Sequence, residues 1–81
     1  MNSRPDHDSQ YSMMIEWAPV DAAFLVRLPE WESAGRVLGP VTHGDTYEEA
    51  AKNGQVMLRL LIETAHELGQ PLPTPHVFVG V

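Results

Sequence analysis

The second half of the chain contains the pattern that most constrains the fold. Thr46 and Glu49 form a capping box, in which the threonine oxygen can accept from the Glu49 amide while the Glu49 side chain reaches back to Thr46. Gly69 and Pro71 then supply a stop signal. Between these signals small or apolar residues recur every three or four positions and form one stripe, namely Tyr47, Ala50, Gly54, Leu58, Leu61, Ala65 and Leu68. The sequence therefore predicts a helix over Tyr47–Leu68 with one buried face.

Three strands are predicted ahead of this helix. Residues 11–17 alternate in polarity, and after a turn with Pro19 and Asp21 a return strand follows over residues 22–28. The inward positions of these two strands are predicted to be Tyr11, Met13, Ile15 and Trp17, and then Ala22, Phe24, Val26 and Leu28. Residues 30–35 are interpreted as a loop. Residues 36–43 are predicted to form a third strand, which Pro40 restricts to an edge or a bulge.

A last strand is predicted over residues 76–81, which are mostly apolar and β-branched. The element order is then β-β-β-α-β, an α+β fold. Three sequential strands form an antiparallel meander, and the helix returns the chain so that the fourth strand lies beside the first. The predicted sheet order is 3-2-1-4, with the helix on one face. We expect one domain over residues 11–81, preceded by a flexible polar tail over residues 1–10.

Composition narrows the functional classes. The chain has 81 residues, of which 43% are hydrophobic, so one small globular domain is expected. It contains no cysteine, which excludes disulfides, thiol nucleophiles and cysteine-ligated zinc. Its formal net charge of -6 argues against phosphate binding along a nucleic acid and favours a basic partner. No stretch has the length of a membrane span and the start does not have the pattern of a signal peptide, so we expect a cytoplasmic protein with no membrane association.

Three stretches resemble, in this order, the HicB-type antitoxins of toxin-antitoxin systems. They read YSMMIEW at residues 11–17, FLVRLPE at residues 24–30 and THGDTYEEA at residues 42–50. The last is the most specific and is continued by Lys52-Asn53 and Leu61-Ile62-Glu63. The family motif and helix cap comprise Thr42, His43, Gly44, Asp45, Thr46 and Glu49. The resemblance implies a partial ribonuclease-H-like fold with the β-β-β-α-β order.

The same resemblance implies a partner and a mode of action. HicB-type antitoxins hold a small basic mRNA-cleaving toxin of the HicA type inactive by masking its active site. We therefore expect a binding protein without enzymatic activity and without a cofactor. Many family members carry a C-terminal DNA-binding domain. Because this chain ends at Val81, we expect no such domain and no direct DNA binding.

Two other functional classes compete with this one. A metal-dependent ribonuclease-H-like nuclease would need a carboxylate cluster, for which Glu16, Asp21 and Asp45 are the candidates. Asp21 lies in a predicted turn and Asp45 precedes a helix N-terminus, where a negative charge is favourable in any case. Zinc binding by scattered histidines and nucleophilic catalysis by serine have no supporting motif. A solitary regulatory or ligand-binding module of the same fold remains the other alternative.

Two surfaces are candidates for contact with a partner. Trp31 between Glu30 and Glu32 could anchor a basic partner, or its indole could fold back over the sheet edge. Val56 and Leu60 fall on the helix side opposite Leu58 and could form an oligomer or partner contact, or be isolated exposed apolar residues. A homodimer or larger homo-oligomer is expected, since a small core leaves apolar surface to cover.

Overall fold

The computed structural model describes residues 10–76 and consists of a three-stranded sheet packed against a long helix. The strands are β1 (Met14–Ala18), β2 (Ala23–Arg27) and β3 (Thr42–Gly44). The helices are α1 (Pro29–Ser33), between β2 and β3, and α2 (Tyr47–Leu68). The sheet is antiparallel with the order β1-β2-β3. The predicted α+β class is confirmed for this part of the chain. The predicted last strand, except His76, and the predicted tail, except Gln10, lie outside the described residues.

The β1–β2 hairpin is present, but its turn lies one residue later than predicted, at residues 19–22 instead of 18–21. Ile15 pairs with Val26, and Ala18 pairs with Ala23. The Asp21 amide donates to the Ala18 carbonyl at 3.1 Å, which closes the turn. Ala22 has a φ of 50° and is exposed, so the prediction that it begins the inward face of β2 is wrong. A left-handed residue cannot continue a strand.

The third strand is much shorter than the predicted range of residues 36–43. Only Thr42–Gly44 pairs with β2, and the Val41 amide adds one bond to the Val26 carbonyl at 2.9 Å. Pro40 has no amide hydrogen to donate, so pairing starts only after it. The segment before Pro40 crosses the surface as an irregular connection, in which Leu38 is fully exposed.

Residues 30–35 do not form the predicted loop, because Pro29–Ser33 is a short helix, α1. Pro29 stands at its first turn, where the missing amide hydrogen costs nothing. Glu30 and Glu32 lie in the same turn, where the helix dipole favours carboxylates. The helix lasts little more than one turn, and Gly35 follows with a φ of 72°. An element this short has no periodicity from which to predict it.

The bounds of α2 agree with the prediction. The Thr46 hydroxyl accepts from the Glu49 amide at 3.0 Å, and Gly69 ends the helix with a φ of 68°. The predicted capping box differs in one bond, because the Glu49 carboxylate accepts from the Asp45 amide instead of reaching Thr46. The buried positions of the stripe are Ala50, Gly54, Leu58 and Ala65. Tyr47 and Leu68, at its two ends, are exposed.

The core lies between the sheet, α1 and α2. Its fully buried members are Val26, Leu28, Trp31, Ala50 and Leu58. Two glycines let the layers approach closely: a Cβ on Gly44 would lie 2.4 Å from the Ala50 nitrogen, and one on Gly54 would lie 2.7 Å from the Met13 sulfur. Among the helices of residues 10–76, none has the length and apolar character needed to cross a bilayer.

Candidate partner-binding surface

Glu30 is an internal residue that joins the two ends of the described chain. Its side chain is only 1% exposed. The carboxylate accepts from the Ser12 amide at 3.0 Å, from the Ser12 hydroxyl at 2.9 Å and from the His76 amide at 2.9 Å. Ser12 leads into β1 and His76 ends the segment that follows α2. Glu30 therefore stabilises the fold and offers almost no surface to a partner in this conformation.

We expect Glu30 to make the fold acid-sensitive. Burial alone raises the pKa of Glu30, but hydrogen bonds from the His76, Glu30 and Ser12 amides and from the Ser12 hydroxyl outweigh it, so the pKa lies below its ordinary value. A carboxylate whose pKa is lower in the folded state stabilises the fold at pH values above its ordinary pKa. This stabilisation is lost as the pH falls through the pKa of the folded state.

The test compares the wild type with Glu30→Gln by urea unfolding between pH 7 and about pH 3. At pH 7 the variant should lose about 2 kcal/mol, because the new amide group faces N–H donors that it cannot satisfy. The free energy of unfolding should fall less steeply with acid in the variant than in the wild type. Parallel curves would show that Glu30 is not the responsible group.

Trp31 is also internal, with 1% of its surface exposed. Its ring lies 5.7 Å from the Tyr11 ring, and the Arg36 guanidinium lies 5.9 Å from its centroid. The Nε1 group is buried and has no hydrogen-bond partner among the described residues. Of the two interpretations of Trp31, the structure has the one in which the indole folds back onto the core. As an exposed anchor for a partner, Trp31 is unsuitable because its contact area is already covered.

Glu32 is the member of the Glu30–Trp31–Glu32 set that reaches the surface. Its carboxylate accepts from Arg27 at 2.9 and 3.0 Å, and Arg27 also lies 3.4 Å from Glu16. The hydrogen bond from Arg27 lowers the pKa of Glu32. The three side chains form a charge cluster on the sheet face opposite α2. Because Arg27 offsets their charge, these carboxylates attract a basic partner less than unpaired ones would.

The family-motif residues have structural roles in this fold. Gly44 packs against the start of α2, while Thr46 and Glu49 cap that helix. His43 is exposed, and its carbonyl accepts a hydrogen bond from the Asn53 side chain at 2.7 Å. This carbonyl of β3 is therefore already bonded. Thr42 pairs with Val26 in the sheet, and the Asp45 amide donates to Glu49.

The carboxylates proposed for a nuclease are not brought together. Glu16 lies on β1, Asp21 in the hairpin turn and Asp45 before α2. Among residues 10–76 no group of three histidine, aspartate or glutamate side chains is close enough to hold a metal ion.

The outer face of α2 carries a line of exposed residues, called the outer stripe below. Its two apolar members, Val56 and Leu60, are 46% and 49% exposed, so the prediction that they point away from the core is confirmed. The charged members surround them along the helix. The outer stripe comprises Glu49, Lys52, Val56, Arg59, Leu60, Glu63 and Glu67.

A second exposed apolar surface was missed by sequence reasoning. Trp17, Phe24 and Tyr47 form an aromatic row that runs from β1 across β2 to the start of α2. The ring centroids are 5.0 Å apart for Trp17 and Phe24, and 4.3 Å apart for Phe24 and Tyr47. Trp17 is 52% exposed and Tyr47 is 63% exposed.

The aromatic row was missed because both outer members fit buried patterns. Trp17 continues the inward alternation of β1, and Tyr47 begins the apolar stripe of α2. Each lies at or next to the end of its element and is more than half exposed. The signal available in the sequence was the position of two large aromatic residues at element ends. Their proximity depends on the pairing of strands with a helix and is not visible in the sequence.

Two exposed carboxylates, Asp45 and Glu48, lie next to Tyr47 in the chain and are called the acidic rim. Asp21, in the turn after Trp17, lines the other face of the sheet with Leu25 and His43. No ion pair between described residues includes Asp45 or Glu48. Carboxylates next to an exposed aromatic side chain suit lysine or arginine, through cation–π contacts and charge attraction.

Comparison with known proteins adds no relative. No protein-family model matches the chain, and neither a curated protein nor a solved structure matches it. The similarity to HicB-type antitoxins consists of the three sequence stretches given above.

Proposed function

We propose that this chain is an antitoxin-like binding protein that neutralises a small basic mRNA-cleaving toxin by covering its active site. The observation that carries this proposal is the aromatic row with its acidic rim. It is an exposed surface of the composition that binding hot spots favour, and Asp45 and Glu48, next to Tyr47 in the chain, form no ion pair within residues 10–76. The net charge of -6 and the HicB-like motifs support the same partner. We propose that it acts in the cytoplasm, as a binding protein and not as an enzyme.

The aromatic row and the acidic rim have different parts in this proposal. Trp17 and Tyr47 supply rigid contact area, since an aromatic side chain loses few rotamers on binding. The carboxylates of the rim attract a basic partner over a distance set by the salt concentration. The aromatic contacts thus govern dissociation, and the charges govern association.

We further propose the ribonuclease-H-like sheet order 3-2-1-4, in which residues 77–81 pair with the free edge of β1. Two contacts support this order. The Ser12 and His76 amides both donate to the Glu30 carboxylate. The residue that leads into β1 therefore lies beside the residue that precedes residues 77–81. Residues 77–81 are as long as β1, which has 5 residues. On the other edge of the sheet, Asn53 already occupies the β3 carbonyl of His43.

The test of this function starts with the reading frame next to the gene, if it encodes a small basic protein. Co-expression of the wild-type chain should rescue cells from that protein, and Trp17→Ala should weaken rescue. By surface plasmon resonance, Trp17→Ala should raise the dissociation constant about 30-fold, equivalent to about 2 kcal/mol, mainly through faster dissociation. Asp45→Asn combined with Glu48→Gln should slow association and reduce its salt dependence.

Leu38→Ala is the matched control, because Leu38 is fully exposed and lies outside the aromatic row. It should bind like the wild type. Equal binding by Trp17→Ala and Leu38→Ala would exclude the aromatic row as the contact. If no neighbouring basic protein binds the wild-type chain, the antitoxin function is rejected in favour of a solitary regulatory or ligand-binding module.

A further inference from the structure

Residues 70–76 follow α2 and are called the strap. Two of its backbone carbonyls accept hydrogen bonds from side chains in the first half of the chain. The Arg36 guanidinium donates to the Pro71 carbonyl at 2.6 Å, and the Tyr11 hydroxyl donates to the Pro73 carbonyl at 2.7 Å. The two accepting carbonyls are two positions apart, so the donors bind the strap at successive prolines.

A third bond and an apolar contact complete the attachment of the strap. The His76 amide donates to the Glu30 carboxylate at 2.9 Å. Pro73 is buried, and Leu72 packs against the hydrophobic core. The side chains that hold the strap, together with the indole against which two of them lie, are called the strap site. The strap site comprises Tyr11, Glu30, Trp31 and Arg36.

The strap has the conformation of a proline-rich ligand. Every second residue is a proline, at positions 71, 73 and 75, and each proline also keeps the residue before it extended. The strap therefore favours polyproline II whether or not it is bound, and ordering it costs little backbone entropy. It pairs with no strand of the sheet. Binding of an extended proline segment beside aromatic rings is the mode by which separate domains recognise proline-rich peptides.

We propose that the strap site is a binding site for an extended peptide with proline at every second position, and that the strap is its intramolecular ligand. The strap leaves while the sheet and α2 remain folded, and a segment of the same chemistry in another protein takes its place. Such a segment presents carbonyls at its first two prolines and an amide after the third. Gly69, with a φ of 68°, separates the strap from α2 and serves as the hinge. The strap site shares no residue with the aromatic row.

Amide hydrogen exchange on the full wild-type chain tests whether the strap leaves by itself. Corrected for intrinsic rates, the His76 amide should exchange at least about tenfold faster than the amides of β2, and urea should accelerate it less, because local opening exposes little surface. If the His76 and β2 amides exchange at the same rate with the same urea dependence, the strap leaves only on global unfolding. That result overturns the proposal.

A fluorescein-labelled peptide with the strap sequence QPLPTPH is the probe for exchange, measured by fluorescence anisotropy. The variant Pro71→Gly/Pro73→Gly, called the loosened variant, keeps both accepting carbonyls but frees the backbone of the strap. The peptide should bind it at least about tenfold more tightly than the wild type, whose tethered strap competes at an effective concentration in the millimolar range. A peptide with all three prolines replaced by alanine should bind at least about tenfold more weakly, since it is not pre-ordered.

A further substitution in the loosened variant identifies the site. Tyr11→Phe removes the hydroxyl that donates to the Pro73 carbonyl and should weaken peptide binding about fivefold. Lys52→Ala, on the outer stripe, is the matched control and should bind like its parent. Circular dichroism confirms folding, and Leu72→Ala replaces the loosened variant if the glycines unfold it. Absence of peptide binding at about 1 mM, or equal binding by the Tyr11→Phe and Lys52→Ala proteins, overturns the proposal.

Discussion

Replacing Gly44 with alanine is expected to destabilise the fold by about 3 kcal/mol or more. The added Cβ would lie 2.4 Å from the Ala50 nitrogen and 2.7 Å from its Cα. Both are backbone atoms of α2, so no side-chain rotation can relieve the overlap. Either β3 must move from β2 or the first turn of α2 must move from the sheet, and each movement disrupts the packing of Ala50 in the core.

Urea unfolding followed by circular dichroism measures this effect. Gly39→Ala is the control, because a Cβ on Gly39 meets nothing within 4 Å. That variant should change the free energy of unfolding by less than about 0.5 kcal/mol. If the two alanine variants unfold at the same urea concentration, the close approach of β3 and α2 is not as described.

Trp31→Ala is expected to cost about 3 to 5 kcal/mol of stability, or to prevent folding. The indole is almost fully buried, with 1% of its surface exposed, and it packs among Leu28, Leu58 and the ring of Tyr11. Trp17→Ala should cost no more than about 1 kcal/mol, since half of that side chain is in water. The Trp31→Ala variant thus tests the stability of the fold, and the Trp17→Ala variant tests partner binding.

Thermal unfolding of both variants provides the comparison, with partner binding measured only on protein that is folded. Trp31→Phe keeps most of the apolar volume and removes the buried Nε1 group that lacks a partner among the described residues. It should therefore recover most of the stability that alanine loses. A Trp31→Ala protein as stable as Trp17→Ala would contradict the internal position of the indole.

The helix α2 could be predicted to the residue because its signals are local. The cap at Thr46, the apolar period and the stop at Gly69 lie within one segment, and each acts on neighbours along the chain. The β1–β2 hairpin was predicted for the same reason. The third strand was predicted too long because Pro40 was expected to be accommodated at an edge or a bulge, whereas pairing with β2 starts only after it.

The positions of Glu30 and Trp31 could not be predicted from local patterns. An acidic segment with one tryptophan is typical of an exposed loop, yet Glu30 is satisfied by amides 18 and 46 positions away. Such contacts depend on the assembled fold. The aromatic row belongs to the same category, since Trp17 and Tyr47 meet only through Phe24. By contrast, the exposure of Val56 and Leu60 followed from helix geometry alone.

The contacts of Glu30 also have a consequence for protein engineering. Because the Ser12 and His76 nitrogens lie 3.0 and 2.9 Å from the same carboxylate oxygen, the chain passes nearly the same point twice, at residue 12 and at residue 76. Insertions are tolerated at exposed loop tips and not where two segments share one buried carboxylate. A new pair of ends can be opened in the hairpin turn around Val20, which is 97% exposed.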